Sequence, residues 1–208
     1  MRPISLLAAV FVGAGLAFPA AAAAQTIGSV DKVQATVTAK RDNGSARLRT
    51  RSPVKFQDKL VSGEKARLEA TLKDGTKLTL GENASLSIDE FVYKPGEEGN
   101  KLALNVNGAF LFVGGKIEGP TGGNVDINTP VGTLGVRGTT VWGGPVDTGY
   151  GIIVLDGLVT VTTKGGKTVT LEKGQGTMIH DEDGKPSDPV AWQPARLARA
   201  VDTITFRK

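Results

Sequence analysis

A chain of 208 residues with no cysteine and a single histidine, His180, has no disulfide framework, thiolate zinc site, iron–sulfur cluster or multi-histidine metal centre open to it. Its 39% hydrophobic and 22% charged residues suit a globular domain and exclude wholesale disorder. The formal charge of +4 is mild, and 28 glycines, about twice the average usage, mark a chain dense in turns.

Residues 1–24 read as an export signal. Met1-Arg2 opens positively, Ile4 to Phe18 is an apolar run short for a bilayer span, and Ala22-Ala23-Ala24 supplies the small-x-small cleavage pattern before Gln25. An uncleaved amphipathic anchor is the competing reading. Cleavage would leave 184 of the 208 residues, enough for one well-buried domain, with a charge of +3 and no integral membrane segment. The expected destination is the periplasm or the outside of the cell, since one signal serves both. The expected division is a signal over 1–24, an all-β domain over 25–180, and an acidic loop with a short helix or tail over 181–208.

Seven basic residues crowd into the stretch that follows: Lys40, Arg41, Arg47, Arg49, Arg51, Lys55 and Lys59, against Asp42 and Asp58. In an exported chain this ribbon suits anionic glycan, lipid headgroups or an acidic protein face better than nucleic acid. It equally suits a solvated strand whose cations guard a sheet edge.

Beyond the ribbon nearly every segment reads at period two. Leu86 and Ile88, then Leu102, Leu104 and Val106, then Val159 and Val161 alternate with polar residues, as strands with one buried and one wet face do. Two hairpins are marked by positive-φ turn chemistry: Leu68 to Leu80 around Asp74-Gly75, and Leu158 to Leu171 around Gly165-Gly166. Their threonine-rich returns, Thr76-Lys77-Leu78-Thr79-Leu80 and Lys167-Thr168-Val169-Thr170-Leu171, look alike through internal similarity or chance. Residues 94–100, 114–123 and 181–189 read as loops. The one helix-friendly stretch is Pro194 to Val201, where Trp192, Leu197 and Val201 would form a stripe docking on the sheet.

Roughly a dozen short strands with frequent turns predict an all-β fold, either a β-roll or solenoid-like stack or a sandwich, with a short C-terminal helix. Only 5% aromatic residues and no cysteine argue against an immunoglobulin-type sandwich.

The order of motifs resembles the FecR domain family. Val61-Ser62-Gly63 precedes Ala66-Arg67-Leu68-Glu69-Ala70-Thr71-Leu72 and the Asp74-Gly75-Thr76 turn; Gly108-Ala109-Phe110 follows. The sharpest match is Asn128-Thr129-Pro130-Val131-Gly132 with Gly135-Val136-Arg137-Gly138-Thr139, closed by Val154-Leu155-Asp156-Gly157-Leu158. The resemblance implies a sensing or docking domain outside the cytoplasmic membrane, which in the family's namesake receives a signal from an outer-membrane transporter. This chain shows no cytoplasmic anti-sigma segment, so direct control of a sigma factor is not expected of it.

Arg137 has two roles open: recognising an anion or carboxylate beside flexible glycines, or tying a turn to backbone carbonyls or to Asp126 or Asp156. Gly166-Lys167-Thr168 ends like a phosphate-binding loop, but Val161 stands where its first glycine is needed. Asp181, Glu182, Asp183 and Asp188 offer oxygens for calcium without the spacing of an EF-hand, so a solvated acidic loop is expected. His180 suits a strand end better than a catalytic base, and Glu118, Asp126 and Asp156 are carboxylates without a hydrolase motif.

The expected function is therefore a non-enzymatic, cofactor-free binding or signalling module of the cell envelope, meeting a protein partner through a sheet edge or loops. Thr129, Pro130, Arg137, Gly138 and Thr139 are the candidate residues. The alternative is a cell-surface or matrix protein holding anionic glycan through the Lys40–Lys59 ribbon, centred on Arg47, Arg49 and Arg51. A glycan-cleaving enzyme ranks third.

Overall fold

The computed structural model of the chain describes residues 24–41, 44–119, 122–180 and 184–207. The expected export signal, apart from Ala24, lies outside these residues, as do Asp42 and three of the four loop acids, Asp181, Glu182 and Asp183.

Strands β1 (Thr26–Gln34), β2 (Val37–Arg41), β3 (Gly44–Arg47), β4 (Pro53–Lys55) and β5 (Lys59–Ser62) open the chain. They are followed by β6 (Arg67–Leu72), β7 (Lys77–Leu80), β8 (Ser85–Val92), β9 (Lys101–Asn107) and β10 (Phe110–Val113). A 3₁₀ turn at Lys116–Glu118 leads to β11 (Asn124–Thr129) and two 15-residue strands, β12 (Gly132–Val146) and β13 (Gly149–Thr163). The chain closes with β14 (Thr168–Glu172), β15 (Gln175–Ile179), β16 (Val190–Ala191) and α1 (Pro194–Asp202).

The expected hairpins form as β6–β7 and β13–β14, with Gly75 at φ +90° and Gly166 at φ +77° in their turns. In the first, buried Asp74 accepts hydrogen bonds from the Thr76 amide (3.1 Å) and hydroxyl (2.6 Å).

All sixteen strands share one hydrogen-bonded sheet, and it is curled. One arm runs β3-β2-β5-β8-β9-β11, and the other runs β4-β1-β6-β7-β10. The long β12–β13 pair joins them: Gly132 to Val136 pairs with β11, while Thr140 to Gly143 pairs with β10. At the opposite end β1 turns into β2 through Ala35, at φ +57°. The arms share one core, in which Leu60, Leu86, Leu104 and Ile127 of the first meet Ile27, Leu68, Phe110 and Phe112 of the second. Among the described residues only β9–β11 is a parallel pair. The sheet therefore rolls up, and does not stack as the parallel rungs of a solenoid.

Helix α1 covers the outward face of the far halves of β12 and β13 and of their neighbours β10 and β15. Alternate residues of the core-lining strands point that way, so Leu111, Trp142, Val146, Ile153 and Met178 form a second apolar cluster with Trp192, Leu197, Ala200 and Ile204. Trp142 and Trp192 meet edge to face, with centroids 5.9 Å apart. Of the expected stripe, Trp192 and Leu197 dock and Val201 does not. Val201 is 42% exposed and Ala200 buried, because the helix turns the Leu197–Ala200–Ile204 side to the sheet and carries Val201 past the contact. Asp147, in the β12–β13 turn, clamps the helix by accepting from Arg196 Nε (2.8 Å) and Arg199 Nε (2.8 Å). The hydrogen bond from Arg196, reinforced by Arg199, holds the Asp147 carboxyl below the usual carboxylate range.

Candidate functional site

The Val-Arg-Gly-Thr motif is the bend by which β12 passes from one arm to the other. Register slips there, from Arg137 opposite Leu158 to Thr140 opposite Asp156, which is a β-bulge. Gly138 supplies the left-handed turn at φ +60°, and Gly157 faces it across the pair at φ +82°. A Cβ on Gly157 would lie 2.3 Å from the Gly138 carbonyl oxygen, so the two backbones require glycine to approach this closely.

Thr139, only 3% exposed, fastens the bulge. Its Oγ1 accepts from the Arg137 amide (2.8 Å) and donates to the Leu158 carbonyl (3.2 Å). Its own amide donates to Glu118 Oε2 (3.1 Å) from the neighbouring 3₁₀ turn. Burial pushes the Glu118 carboxyl up, against the backbone hydrogen bonds of Thr139 and Gly138, and the charge of Asp74 adds to the rise. Glu118 Oε1 is buried without a hydrogen-bond partner among the described residues.

These duties leave Arg137 outside. The expectation that it would tie the turn to carbonyls or to Asp126 or Asp156 does not hold. Thr139 satisfies the backbone, and Asp156 pairs with Lys173 at 2.9 Å. Arg137 is exposed and makes no hydrogen bond or ion pair with the described residues. The physical reason is alternation: Leu134 and Val136 point inward, so Arg137 faces the wet side, and the extra residue of the bulge then turns Thr139 inward. Arg137 borders a cleft of 570 Å³ with Glu118, Asp126, Gly123, Leu158 and Thr160. The cleft thus offers one free guanidinium beside an exposed apolar side chain, Leu158, which is 41% exposed.

Thr129 and Pro130 lie at the far end of the same hairpin. Pro130-Val131 is the two-residue turn between β11 and β12, with Thr129 opposite Gly132 and Thr129 Oγ1 donating to the Gly132 carbonyl at 2.8 Å. The motif that reads as one unit in sequence is thus split by the length of β11. Its Thr-Pro end borders a separate groove of 400 Å³ on the outward face of the first arm.

The basic ribbon is divided too. Arg41 is consumed by Asp58, 1% exposed, which accepts from its Nε and, at 2.9 Å, from its terminal nitrogen. Lys40 and Lys59 stand opposite each other on β2 and β5. Arg47, Arg49 and Arg51 line the exposed connection from β3 to β4 that spans the two arms. Among the described residues no three His, Asp or Glu side chains group as metal ligands. His180 is exposed just after β15. The apolar platform under α1 was missed in sequence, although the pairs Val141-Trp142 and Ile152-Ile153 break the one-sided alternation and so signal a strand buried on both faces.

The rolled sheet and its hairpin-borne motif define an all-β domain of a particular class. Residues 58–160 match the family model described as FecR protein, so the chain carries a FecR domain that spans β5 to β13 and contains the whole bulge cleft. Two crystal structures of a proposed anti-sigma factor from Parabacteroides distasonis ATCC 8503, at 1.65 and 2.50 Å resolution, share the fold with TM-scores of 0.54 at 13% identity. The likeness covers 69% of this chain and 64% and 63% of that protein, so this chain spans less than two thirds of its length. No curated protein matches the sequence. Among the described residues no helix is long and apolar enough to cross a membrane.

Proposed function

We propose that this chain is a non-enzymatic FecR-type module of the cell envelope, acting in the periplasm or after secretion, that recognises a protein partner at the Arg137 cleft. One observation carries the reading: of the four residues in the bulge motif, Val136 and Thr139 are buried and Gly138 supplies the turn, so Arg137 alone presents a side chain to solvent. Arg137, Leu158 and Glu172 lie in one cross-strand row leading from the cleft to β14, which among the described residues pairs with β13 alone. A partner segment crossing this row from the β14 edge, with a carboxylate beside an apolar residue, would meet Arg137 and Leu158. The resemblance to envelope signalling domains supports the same class of partner.

The test is crosslinking in intact cells with the tagged chain, comparing wild type with Arg137→Ala and Arg137→Glu. One envelope protein should be captured by wild type. Loss of a charge-assisted contact should weaken that capture about tenfold or more, with the charge reversal the more severe. Unchanged capture by a folded Arg137→Glu chain, or capture of cytoplasmic sigma machinery alone, overturns the reading. A second reading rests on the exposed Arg47, Arg49 and Arg51: they would hold an anionic glycan, with binding that falls steeply with salt.

A further inference from the structure

On the outward face of the first arm, register lines up six polar side chains on six adjacent strands. Lys59 stands opposite Ser87, and Ser87 opposite Asn105. Asn105 lies beside Asn128 across the parallel pair, Asn128 opposite Thr133, and Thr133 opposite Thr162. At the usual strand spacing of ~4.8 Å the row is roughly 24 Å long. All six side chains reach solvent, while their chain neighbours Leu86, Leu104, Ile127, Leu134 and Val161 are core. The 400 Å³ groove bordered by Thr129 and Pro130 opens over this row.

The composition of the row differs from that of a face selected for wetness alone, which usually carries long charged side chains of both signs. Its middle is made of short amides and hydroxyls that are already held in place. Thr133 Oγ1 donates to Asn128 Oδ1 (2.7 Å), Ser87 Oγ donates to Asp89 Oδ1 (2.9 Å), and Asn105 donates to the other Asp89 oxygen. Such side chains lose little rotamer freedom when a ligand arrives. They also offer donors and acceptors side by side, which suits a ligand whose own groups do both. The row itself carries a single charge, Lys59 at its end; Asp89 lies beside its middle and Lys164 borders the groove, so the charges stand at the margins and the amides and hydroxyls between them carry none.

We propose that this row binds an extended, uncharged polysaccharide lying across the strands. Its hydroxyls replace water on the amides and threonines, donate to Asp89 and accept from Lys59. The site shares no residue with the Arg137 cleft or with the Arg47–Arg51 strip, so it stands or falls independently of both readings above.

The experiment is affinity electrophoresis of the full chain through gels containing hydroxyethylcellulose, a linear β-1,3-glucan or dextran, with alginate as the acidic comparator. At least one neutral polymer should retard the protein, with little change on adding salt. The variant N105A/N128A/T162V should bind about tenfold more weakly at an unchanged melting temperature, whereas Arg137→Ala should bind as wild type. If the triple variant fails to fold, Asn128→Ser alone should still weaken retardation. The inference is overturned if no neutral polymer retards the chain, or if the folded variants are retarded as wild type is. It is also overturned if only alginate retards it, in a salt-sensitive way that replacing Arg47, Arg49 and Arg51 abolishes.

Discussion

Replacing Thr139 with valine removes one hydroxyl and almost nothing else, which makes it the sharpest probe of the bulge. The methyl packing and β-branched shape are kept, so no cavity term enters. Two hydrogen bonds vanish: the Arg137 amide loses its acceptor at 2.8 Å and the Leu158 carbonyl its donor at 3.2 Å. Each partly buried group left without a partner costs about 1–1.5 kcal/mol at the lower end of the usual range, so the fold should lose about 2–3 kcal/mol. In a domain of this size that lowers Tm by roughly 4–12 °C. Urea denaturation followed by tryptophan fluorescence and by circular dichroism would show a lower midpoint at unchanged slope. Thr133→Val is the control, since its hydroxyl bonds Asn128 on the wet face, and it should stay within about 0.5 kcal/mol. A Thr139→Val chain as stable as that control would refute the assignment of Thr139 as the fastener of the motif.

The remaining outcomes test other parts of the same geometry. Gly157→Ala places a Cβ against the Gly138 carbonyl at a left-handed φ and should cost about 3 kcal/mol or prevent folding; Gly166→Ala, left-handed but in open space, should cost about 1 kcal/mol, and equal losses in denaturation would contradict the close approach. Because the Asp147 carboxyl is held below its ordinary value, its contribution is complete above about pH 4 and fades only as pH falls through the lowered value. Trp142 and Trp192 fluorescence should therefore report a docked α1 at neutral and mildly acidic pH and its release in strong acid, with Asp147→Asn flattening that profile. Glu118 has the opposite sign: its raised carboxyl favours the protonated fold, so stability should decline as pH rises from the ordinary carboxylate value through the raised one. Glu118→Gln keeps an acceptor for the Thr139 amide and should abolish that decline, read as urea midpoints at acidic and neutral pH.

Much of this architecture was legible in one dimension because it is local. Period-two alternation in Leu102-Ala103-Leu104-Asn105-Val106 depends only on a strand having two faces, and Asp74-Gly75 or Gly165-Gly166 makes a hairpin turn through its own φ preferences. The C-terminal helix announced itself through Pro194 and the alanine-rich run after it. The FecR motif was also readable, since the bulge needs glycine at 138 and a small hydroxyl at 139 whatever the surroundings.

The composition and the spacing of turns by themselves determined an all-β domain, its hairpins and its helix, and the order of motifs carried its resemblance to the FecR domain family. Only the tertiary structure decided what each motif residue does. Register is set by pairing between distant segments, and the β9–β11 crossover brings Asn105 beside Asn128 in a way no local pattern records. The Thr-Pro turn and Arg137, close in sequence, are held apart by a strand, while Glu118, Thr139 and Leu158 are gathered from three elements. Among the described residues Arg137 is free and Arg41 is not for the same reason: whether an arginine finds a carboxylate depends on which segments the roll brings within reach, and that is a property of the curled sheet alone.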